Sequence, residues 1–208
     1  MKTDDKFLIL LKDFIIQFTI MLIAAILITQ FIFYPVRVDG SSMYPSLEDH
    51  EIGFSNILSL KMGGVERFDV VVVALENPNK SIVKRVIGLP GETVEVKDEV
   101  LYINGVVTEQ PFLDTEYVNN YIRDNKHFTI DIPAFVVPEG TYYALGDNRP
   151  RSSDSRDYGP FEHGQIKSKS VFIFYPLNKI RNVGNYSCQT YTGSQATWTK
   201  LFVSSRSK

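Results

Sequence analysis

A long uncharged segment near the N-terminus constrains the fold more than any other feature of this sequence. Residues 14–36 carry no charged side chain and are dominated by Phe, Ile, Leu and Ala. With a rise of about 1.5 Å per residue, a helix of this length crosses a hydrocarbon core of roughly 30 Å. We therefore predict a single transmembrane helix over residues 14–36. The alternatives are the core helix of a soluble protein and a cleaved signal peptide, but a signal peptide has a shorter apolar stretch and no small-x-small cleavage site follows Val36.

Basic residues flank this segment unequally. Lys2, Lys6 and Lys12 precede it, whereas only Arg37 follows closely. Because lysine and arginine are retained on the cytoplasmic side of a membrane, we expect residues 1–13 in the cytoplasm and the chain from Arg37 onward outside it. The expected location is the cell membrane, crossed once.

The composition excludes several classes of protein. In this 208-residue chain 44% of the residues are hydrophobic, which is enough for a packed core and argues against disorder. Lys and Arg number 22 against 24 Asp and Glu, so the chain lacks the basic excess that nucleic acid binding requires. A single cysteine, Cys188, cannot form a disulfide within the chain, and no cysteine and histidine spacing fits zinc. We expect no nucleic acid partner, no metal and no cofactor.

Beyond Val38 the sequence changes to strand-like patterns. Short runs rich in β-branched residues alternate with turn residues, and Asn104-Gly105 supplies the pair that a two-residue hairpin turn requires. The expected strands cover residues 69–74, 81–87, 93–96, 100–103, 106–108, 128–132, 142–145 and 171–175.

The predicted fold class is therefore mainly β, with a single N-terminal transmembrane helix followed by an antiparallel β-sheet domain over residues 37–181. Residues 110–126 are polar and irregular, so an inserted smaller lobe is expected at about 110–141. The polar segment 182–208 is expected to form a loosely packed tail.

A hydroxyl-rich turn follows the apolar segment closely. Ser42 lies six residues after Val36, at most about 20 Å along an extended chain. Serine is common in turns, so Ser42 means little unless another group activates it. His50, His127 and His163 stand in no recognisable catalytic context, and a Ser-His-Asp triad therefore has no support.

Lys84 is the lysine best suited to act as a base. A lysine accepts a proton only when neutral, which requires its pKa to fall from about 10.4 toward neutrality, equivalent to about 4 kcal/mol. In the strand 81–87 alternate residues share a face, so Lys84 lies with Ile82 and Val86 while Arg85 points the other way. This apolar face predicts desolvation of Lys84; the alternative is a lysine on the wet face of an edge strand.

A third stretch, residues 146–159, concentrates charges and hydroxyls in one loop. Its Gly, Asn, Asp and Ser residues are also ordinary loop formers, so a solvated turn is the alternative. An ion pair between Asp154 and Arg156 would hold Ser152 near a buried amine.

Together these stretches resemble type I signal peptidases, the membrane-bound serine-lysine proteases that remove signal peptides, in the form found in Gram-positive bacteria. The resemblance follows the family's order through the N-terminal anchor and four motifs. The motifs are Gly40-Ser41-Ser42-Met43-Tyr44-Pro45-Ser46-Leu47, Arg67-Phe68-Asp69-Val70-Val71-Val72, Lys84-Arg85-Val86-Ile87-Gly88-Leu89-Pro90-Gly91-Glu92 and the loop 146–159.

The resemblance implies roles for individual residues. Ser42, immediately before the methionine, matches the nucleophile, and Lys84 matches the general base. Ser152 matches the serine that orients the lysine, while Asp154 and Arg156 match the pair that braces the site. Two positions depart from the pattern. Gly40 stands where some relatives have a serine that assists the oxyanion hole, which leaves more of that task to the Ser42 N–H, and Pro150-Arg151 leaves the role of Arg149 open.

The resemblance also implies a hydrolase that cleaves the signal peptides of exported preproteins after small residues one and three positions before the cut. Pairing of an extended substrate with a sheet edge would place alternate side chains in two shallow pockets. The expected partners are signal peptides and the lipid bilayer, with proximity to the protein export channel. Candidate pocket residues, by position, are Val38, Met43, Leu47 and Ile82.

Two other functions are compatible with parts of the sequence. One is a self-cleaving serine-lysine repressor, against which the transmembrane segment argues. The other is a non-catalytic relative that assembles surface structures such as pili, against which the presence of both Ser42 and Lys84 argues.

Overall fold

The computed structural model describes residues 3–75, 80–125 and 127–184. Its four α-helices within these ranges are α1 (Thr3–Ile32), α2 (Ile57–Gly63), α3 (Thr115–Asn125) and α4 (Ser155–Tyr158). Its strands are β1 (Phe33–Arg37), β2 (Ile52–Asn56), β3 (Val70–Ala74), β4 (Ser81–Gly88), β5 (Thr93–Lys97), β6 (Val100–Ile103), β7 (Val106–Thr108), β8 (Ile132–Val136), β9 (Thr141–Leu145), β10 (Phe161–Glu162), β11 (Ile166–Tyr175) and β12 (Arg181–Val183).

Two antiparallel sheets make up the domain that follows α1. The larger sheet has the strand order β1-β2-β11-β3-β4-β9-β10, with β12 paired to β11. The smaller sheet has the order β7-β6-β5-β8. The predicted fold class, mainly antiparallel β-sheet after one apolar N-terminal helix, is confirmed.

Helix α1 differs in its limits from the predicted helix over residues 14–36. It begins at Thr3, ends at Ile32 and contains a 24-residue segment, Lys6–Thr29, that is long and apolar enough to cross a membrane. Residues 33–36 instead belong to β1. Pro35 explains the early end, since proline lacks the N–H that a helix needs and drives the preceding residue into an extended conformation.

The smaller lobe is larger and more regular than predicted. Its sheet spans the chain from Thr93 to Val136 rather than 110–141, because β7, β6 and β5 pair in sequence with one another and β5 pairs with β8, and none of them pairs with the larger sheet. The stretch predicted to be irregular contains α3. The Asp114 carboxylate caps this helix by accepting the Tyr117 N–H at 2.7 Å.

The side chain of Glu99 explains why one strand begins later in the chain than predicted. A strand was predicted at 128–132, but β8 begins at Ile132. The two carboxylate oxygens of Glu99 accept the N–H groups of Phe128 and Thr129 at 2.8 and 2.9 Å. These donors are therefore satisfied by a carboxylate instead of a neighbouring strand. The predicted hairpin turn at Asn104-Gly105 is present, with positive φ at both residues.

One core cluster holds the loop that carries Ser42. Met43 and Leu47 are fully buried on either side of the turn. They pack with residues of the large sheet and with Val183 of β12; the cluster consists of Val36, Val38, Met43, Leu47, Val70, Val72, Val171, Ile173 and Val183. The loop between β1 and β2 is thus fixed to the large sheet by the packing of its buried side chains.

The segment after Tyr175 packs against the loop that carries Ser42, and β12 extends two residues, Asn182 and Val183, into the predicted tail. Arg181 in β12 donates to both carboxylate oxygens of the buried Glu51 at 2.7 Å and to the Ser46 carbonyl at 2.8 Å. Lys179 pairs with Glu48 at 2.6 Å. These contacts tie β12 to the loop that carries Ser42. Cys188 and the remainder of the predicted tail lie outside the described residues.

We predict that Arg181→Met lowers the free energy of unfolding by about 2–4 kcal/mol, because it leaves the Glu51 carboxylate buried without its cation. Thermal unfolding of the detergent-solubilised protein measures the effect. The control is Lys179→Met, whose ion pair is 36% and 40% exposed and should contribute less than about 1 kcal/mol. Equal effects of the two substitutions would contradict the prediction.

Candidate active site

Ser42 and Lys84 meet although they come from distant parts of the chain. Ser42 lies in the loop between β1 and β2, and Lys84 lies in the middle of β4, opposite Val71 of β3. The Lys84 Nζ donates a hydrogen bond to Ser42 Oγ at 2.8 Å. The predicted nucleophile and the predicted base are therefore in direct contact.

Lys84 is buried, as its strand position predicted. Only 2% of the residue is exposed. Its neighbours on alternate positions, Ile82 and Val86, join one hydrophobic cluster, whereas Val83 and Ile87 join two others. Alternation along β4 thus brings the amine to an apolar face.

Burial lowers the pKa of Lys84 to about 8, against the opposing effect of two carboxylates. The negative charges of Asp154 and Asp147 raise the pKa of Lys84, and the guanidinium of Arg156 lowers it. Burial is the largest of these influences, and both carboxylates are themselves paired with arginines. Near neutral pH about one Lys84 amine in ten is then uncharged, compared with about one in 2,500 for an ordinary lysine.

The Arg85–Asp147 ion pair anchors the start of the loop after β9. Arg85 follows Lys84 in β4 and donates from Nε and Nη2 to the two Asp147 oxygens at 2.8 and 2.7 Å. Both side chains are fully buried. The geometry is bidentate, which fixes the direction of the carboxylate as well as its position. Because side chains alternate along β4, Lys84 contacts Ser42 on one face of the sheet and Arg85 contacts the loop after β9 on the other.

Asp154 and Arg156 form the predicted ion pair. The Asp154 carboxylate accepts two hydrogen bonds from Arg156 at 2.8 Å and one from the Gly146 N–H at 2.9 Å. It also caps α4. Burial raises the pKa of Asp154, but the hydrogen bonds from Arg156 and Gly146 outweigh burial and hold the pKa below its ordinary value. Asp154 is thus ionised and braces the loop.

Ser152 differs from the prediction. Its Oγ is buried and has no hydrogen-bond partner among the described residues, so it makes no hydrogen bond with the Lys84 amine. The hydroxyl lies close enough to the Asp154 carboxylate to lower that pKa slightly, without hydrogen-bond geometry. It faces Gly146, where the position of an added Cβ would lie 2.2 Å from Ser152 Oγ.

Three further residues at the site carried no clear sequence signal. Asn148 is buried and bonds to the backbone on both sides of Ser42, donating to the carbonyls of Ser41 and Ser42. Arg149, whose role was left open, is buried and donates to the Gly146 carbonyl, Thr129 and Gln110. Tyr117 of α3 donates to Asn148 Oδ1 at 3.2 Å. The smaller lobe thus reaches the site directly, which no local pattern indicated.

The four candidate pocket residues belong to two hydrophobic clusters. Val38, Met43 and Leu47 are buried in the cluster beneath the Ser42 loop, with Leu47 fully inaccessible. Ile82 is half-buried in a different cluster. Met43 and Leu47 therefore anchor the loop, and their assignment as substrate contacts stays a prediction.

One acidic cluster lies nearby on the surface. Asp39, Asp49 and His50 are exposed and close enough together to share a metal ion. Asp49 already accepts the Gly40 N–H at 2.7 Å, and this hydrogen bond lowers the pKa of its carboxyl. That bond holds Gly40 at a φ of 98°, a conformation that favours glycine. The cluster therefore shapes the turn before Ser42.

Comparison with known proteins gives consistent matches. A family described as signal peptidase, peptidase S26, matches residues 11–175. The chain is 42% identical to signal peptidase I S of Bacillus subtilis over 163 residues, which cover 78% of this chain and 88% of that protein. It is 35% identical to signal peptidase IB of Staphylococcus aureus over 179 residues, covering 83% and 93%. The crystal structure of a signal peptidase I from Enterococcus faecalis is 38% identical and covers 50% of this chain and 95% of its own, with a TM-score of 0.42.

We predict that Lys84→Met stabilises the protein at neutral pH by roughly 1–3 kcal/mol. The folded state lowers the pKa of Lys84 to about 8, so between about pH 8 and 10 the unfolded state binds more protons and the parent gains stability as pH rises. Below that window the full cost of the buried charge remains. The advantage of Lys84→Met should thus be largest at pH 7 and shrink toward pH 10, as measured by denaturant unfolding.

The control is Lys167→Met, which changes an exposed lysine of β11. It should alter stability little at either pH. A Lys84→Met protein that is less stable than the parent at pH 7 would contradict the prediction.

We predict that Gly146→Ala abolishes the reactivity of Ser42. The added Cβ would lie 2.2 Å from Ser152 Oγ and 2.4 Å from the Ser42 carbonyl oxygen, so the backbone on which Ser42 depends must move. Labelling with a serine-directed fluorophosphonate probe measures the loss. Gly164→Ala is the control, because nothing lies within 4 Å of its added Cβ; comparable labelling of both variants would refute the steric argument.

Proposed function

Because the chain belongs to the signal peptidase I family of Gram-positive bacteria, peptidase S26, we propose that Ser42 and Lys84 are the nucleophile and general base of its reaction. The protein is a membrane-bound serine endopeptidase that removes signal peptides, as the sequence predicted. The family match does not favour the repressor-type protease or the non-catalytic assembly factor.

The observation that carries the proposal is the 2.8 Å contact between Lys84 Nζ and Ser42 Oγ at a buried site. When Lys84 is neutral the bond reverses, and the Ser42 hydroxyl donates to the amine lone pair. Proton transfer along this bond then activates Ser42 as an alkoxide-like nucleophile.

The steps follow from this contact. Ser42 Oγ attacks the scissile carbonyl carbon while its proton passes to Lys84. The Ser42 N–H stabilises the negative oxygen of the tetrahedral intermediate. Protonated Lys84 returns its proton to the leaving amine as the C–N bond breaks, which leaves an acyl-enzyme. Water, deprotonated by Lys84, then hydrolyses the ester and releases Ser42.

The bracing residues act through Lys84. Asp154, held by Arg156, braces the loop after β9 through the Gly146 N–H, and its negative charge keeps the pKa of Lys84 from falling further. Ser152 is the residue we propose to orient the amine; its buried Oγ has no hydrogen-bond partner among the described residues, and a buried hydroxyl in that state costs about 1–3 kcal/mol.

The location proposed for the active site follows from the anchor and its flanking charges. Lys6 and Lys12 precede the uncharged stretch that begins at Phe14, which supports a cytoplasmic N-terminus and a β-rich domain, residues 37–181, on the outside. Ser42 is then ten residues beyond Ile32, at most about 35 Å along the chain. The substrates we propose are exported preproteins with small residues one and three positions before the cut.

Cleavage of a preprotein with a small-x-small site by detergent-solubilised protein tests the catalytic roles. Ser42→Ala and Lys84→Ala should lower kcat by at least about 1,000-fold. Lys84→Arg should be equally inactive, because arginine keeps its proton. Lys167→Arg serves as the matched control and should cleave normally. An active Lys84→Arg enzyme would exclude Lys84 as the base.

The same assay reports the protonation of Lys84. Activity should rise with pH through the lysine pKa of about 8, because only the neutral amine accepts the Ser42 proton. Asp154→Asn removes a charge that raises this pKa, so the midpoint should move to lower pH. A flat profile from pH 6 to 9 would contradict the assignment.

A further inference from the structure

Asn148 bonds to the backbone on both sides of Ser42. Its N–H donates to the Ser42 carbonyl at 3.0 Å, and its Nδ2 donates to the Ser41 carbonyl at 2.9 Å. The residue is 1% exposed. The two peptide groups that flank the Ser42 Cα are therefore held by one residue.

This arrangement determines where the Ser42 N–H points. The Ser41 carbonyl and the Ser42 N–H belong to one planar trans peptide, so they point in opposite directions. Holding the carbonyl toward Asn148 turns the N–H away from it. No hydrogen bond within the described part of the chain uses the Ser42 N–H, which leaves this donor for a substrate.

Tyr117 determines which way the Asn148 amide faces. The Tyr117 hydroxyl donates to Asn148 Oδ1 at 3.2 Å, so the other end of the amide, Nδ2, faces the Ser41 carbonyl. The opposite orientation would set two oxygens against each other. The Tyr117 ring also packs edge-on against Tyr44 at 5.1 Å, and the Tyr44 N–H donates to the same Ser41 carbonyl at 3.2 Å.

We propose that Asn148, oriented by Tyr117 of the smaller lobe, is a positioning residue that aims the Ser42 N–H at the carbonyl oxygen of the scissile bond. The inference rests on the proposed role of Ser42 as nucleophile. Gly40 adds no side-chain donor at this site, so the aim of the backbone N–H matters more to the oxyanion. Asn148 acts on the transition state through the backbone and does not touch the substrate.

Kinetics of Asn148→Ala and Tyr117→Phe on the full-length, detergent-solubilised protein test the proposal. Asn148→Ala should lower kcat about 10- to 100-fold with KM changed less than about 2-fold, because the oxyanion exists only after attack. Tyr117→Phe keeps the ring and loses only the hydroxyl, so its loss of kcat should be smaller, about 3- to 10-fold. The pH midpoint of activity should not move in either variant, since neither adds nor removes a charge.

Inhibition by a peptide aldehyde distinguishes positioning of the oxyanion from a purely structural role, because its Ki changes only if stabilisation of the oxyanion changes. The aldehyde forms a hemiacetal with Ser42 whose oxygen occupies the oxyanion position. Its Ki should rise by the same factor by which kcat/KM falls, as for any transition-state analogue. Rates are expressed per molecule of folded protein, so loss of stability does not mimic the effect.

Asn119→Ala, on the exposed face of α3, and Tyr102→Phe, on β6, are the matched controls and should retain the parent kinetics. Any one of three results would overturn the proposal. They are a parent-level kcat in Tyr117→Phe, an effect of the substitutions on KM instead of kcat, and an unchanged Ki of the aldehyde. If Asn148→Ala fails to fold, Tyr117→Phe carries the test alone. Cleavage by Ser42→Ala would instead defeat the proposed function, whereas an inactive Ser42→Ala beside a fully active Asn148→Ala would defeat this inference only.

Discussion

The removal of one amine from water is the physical constraint on which the site depends. Lys84 is useful because burial disfavours its charged form, and the same burial costs the fold roughly 3 kcal/mol near neutral pH. Two surrounding negative charges oppose this effect, but burial is the largest influence on the pKa of Lys84. Asp154 and Asp147 lie near the amine, but each is bound to an arginine, Arg156 and Arg85. The paired charges support the loop while burial still determines the protonation of Lys84.

The nucleophile is held by a different kind of interaction. Two buried side chains, Met43 and Leu47, fix the turn from the core, and Asn148 fixes its backbone from the loop after β9. Arg181 closes the far side through Glu51 and the Ser46 carbonyl. Ser42 is therefore placed by three separate parts of the chain. This explains why the ordered chain continues past β11, since β12 supplies Arg181 and Val183 to the same loop.

Local patterns predicted those parts of the structure that local interactions determine. Alternation in 81–87 identified the buried face of Lys84, and Asn104-Gly105 identified its hairpin. The helix α3 was missed because an Asp114 cap and tertiary packing, rather than a clear helical pattern, stabilise it. The strand at 128–132 was wrong because Glu99, distant in sequence, binds those N–H groups. The hydroxyl of Ser152 was predicted to reach the amine, but a side-chain torsion is not encoded in a motif. Asn148 and Tyr117 depend on contact between the two lobes, which no short window of sequence contains.

Helix α1 passes directly into β1, with Ile32 the last helical residue and Phe33 the first of the strand. Because no flexible linker separates them, the sheet cannot rise or sink freely relative to the bilayer. Ser42, ten residues beyond Ile32, is thus tied through β1 to the end of the apolar helix. A change in the length of the segment between Ile32 and Ser42 would therefore alter the distance from the apolar helix to the proposed nucleophile.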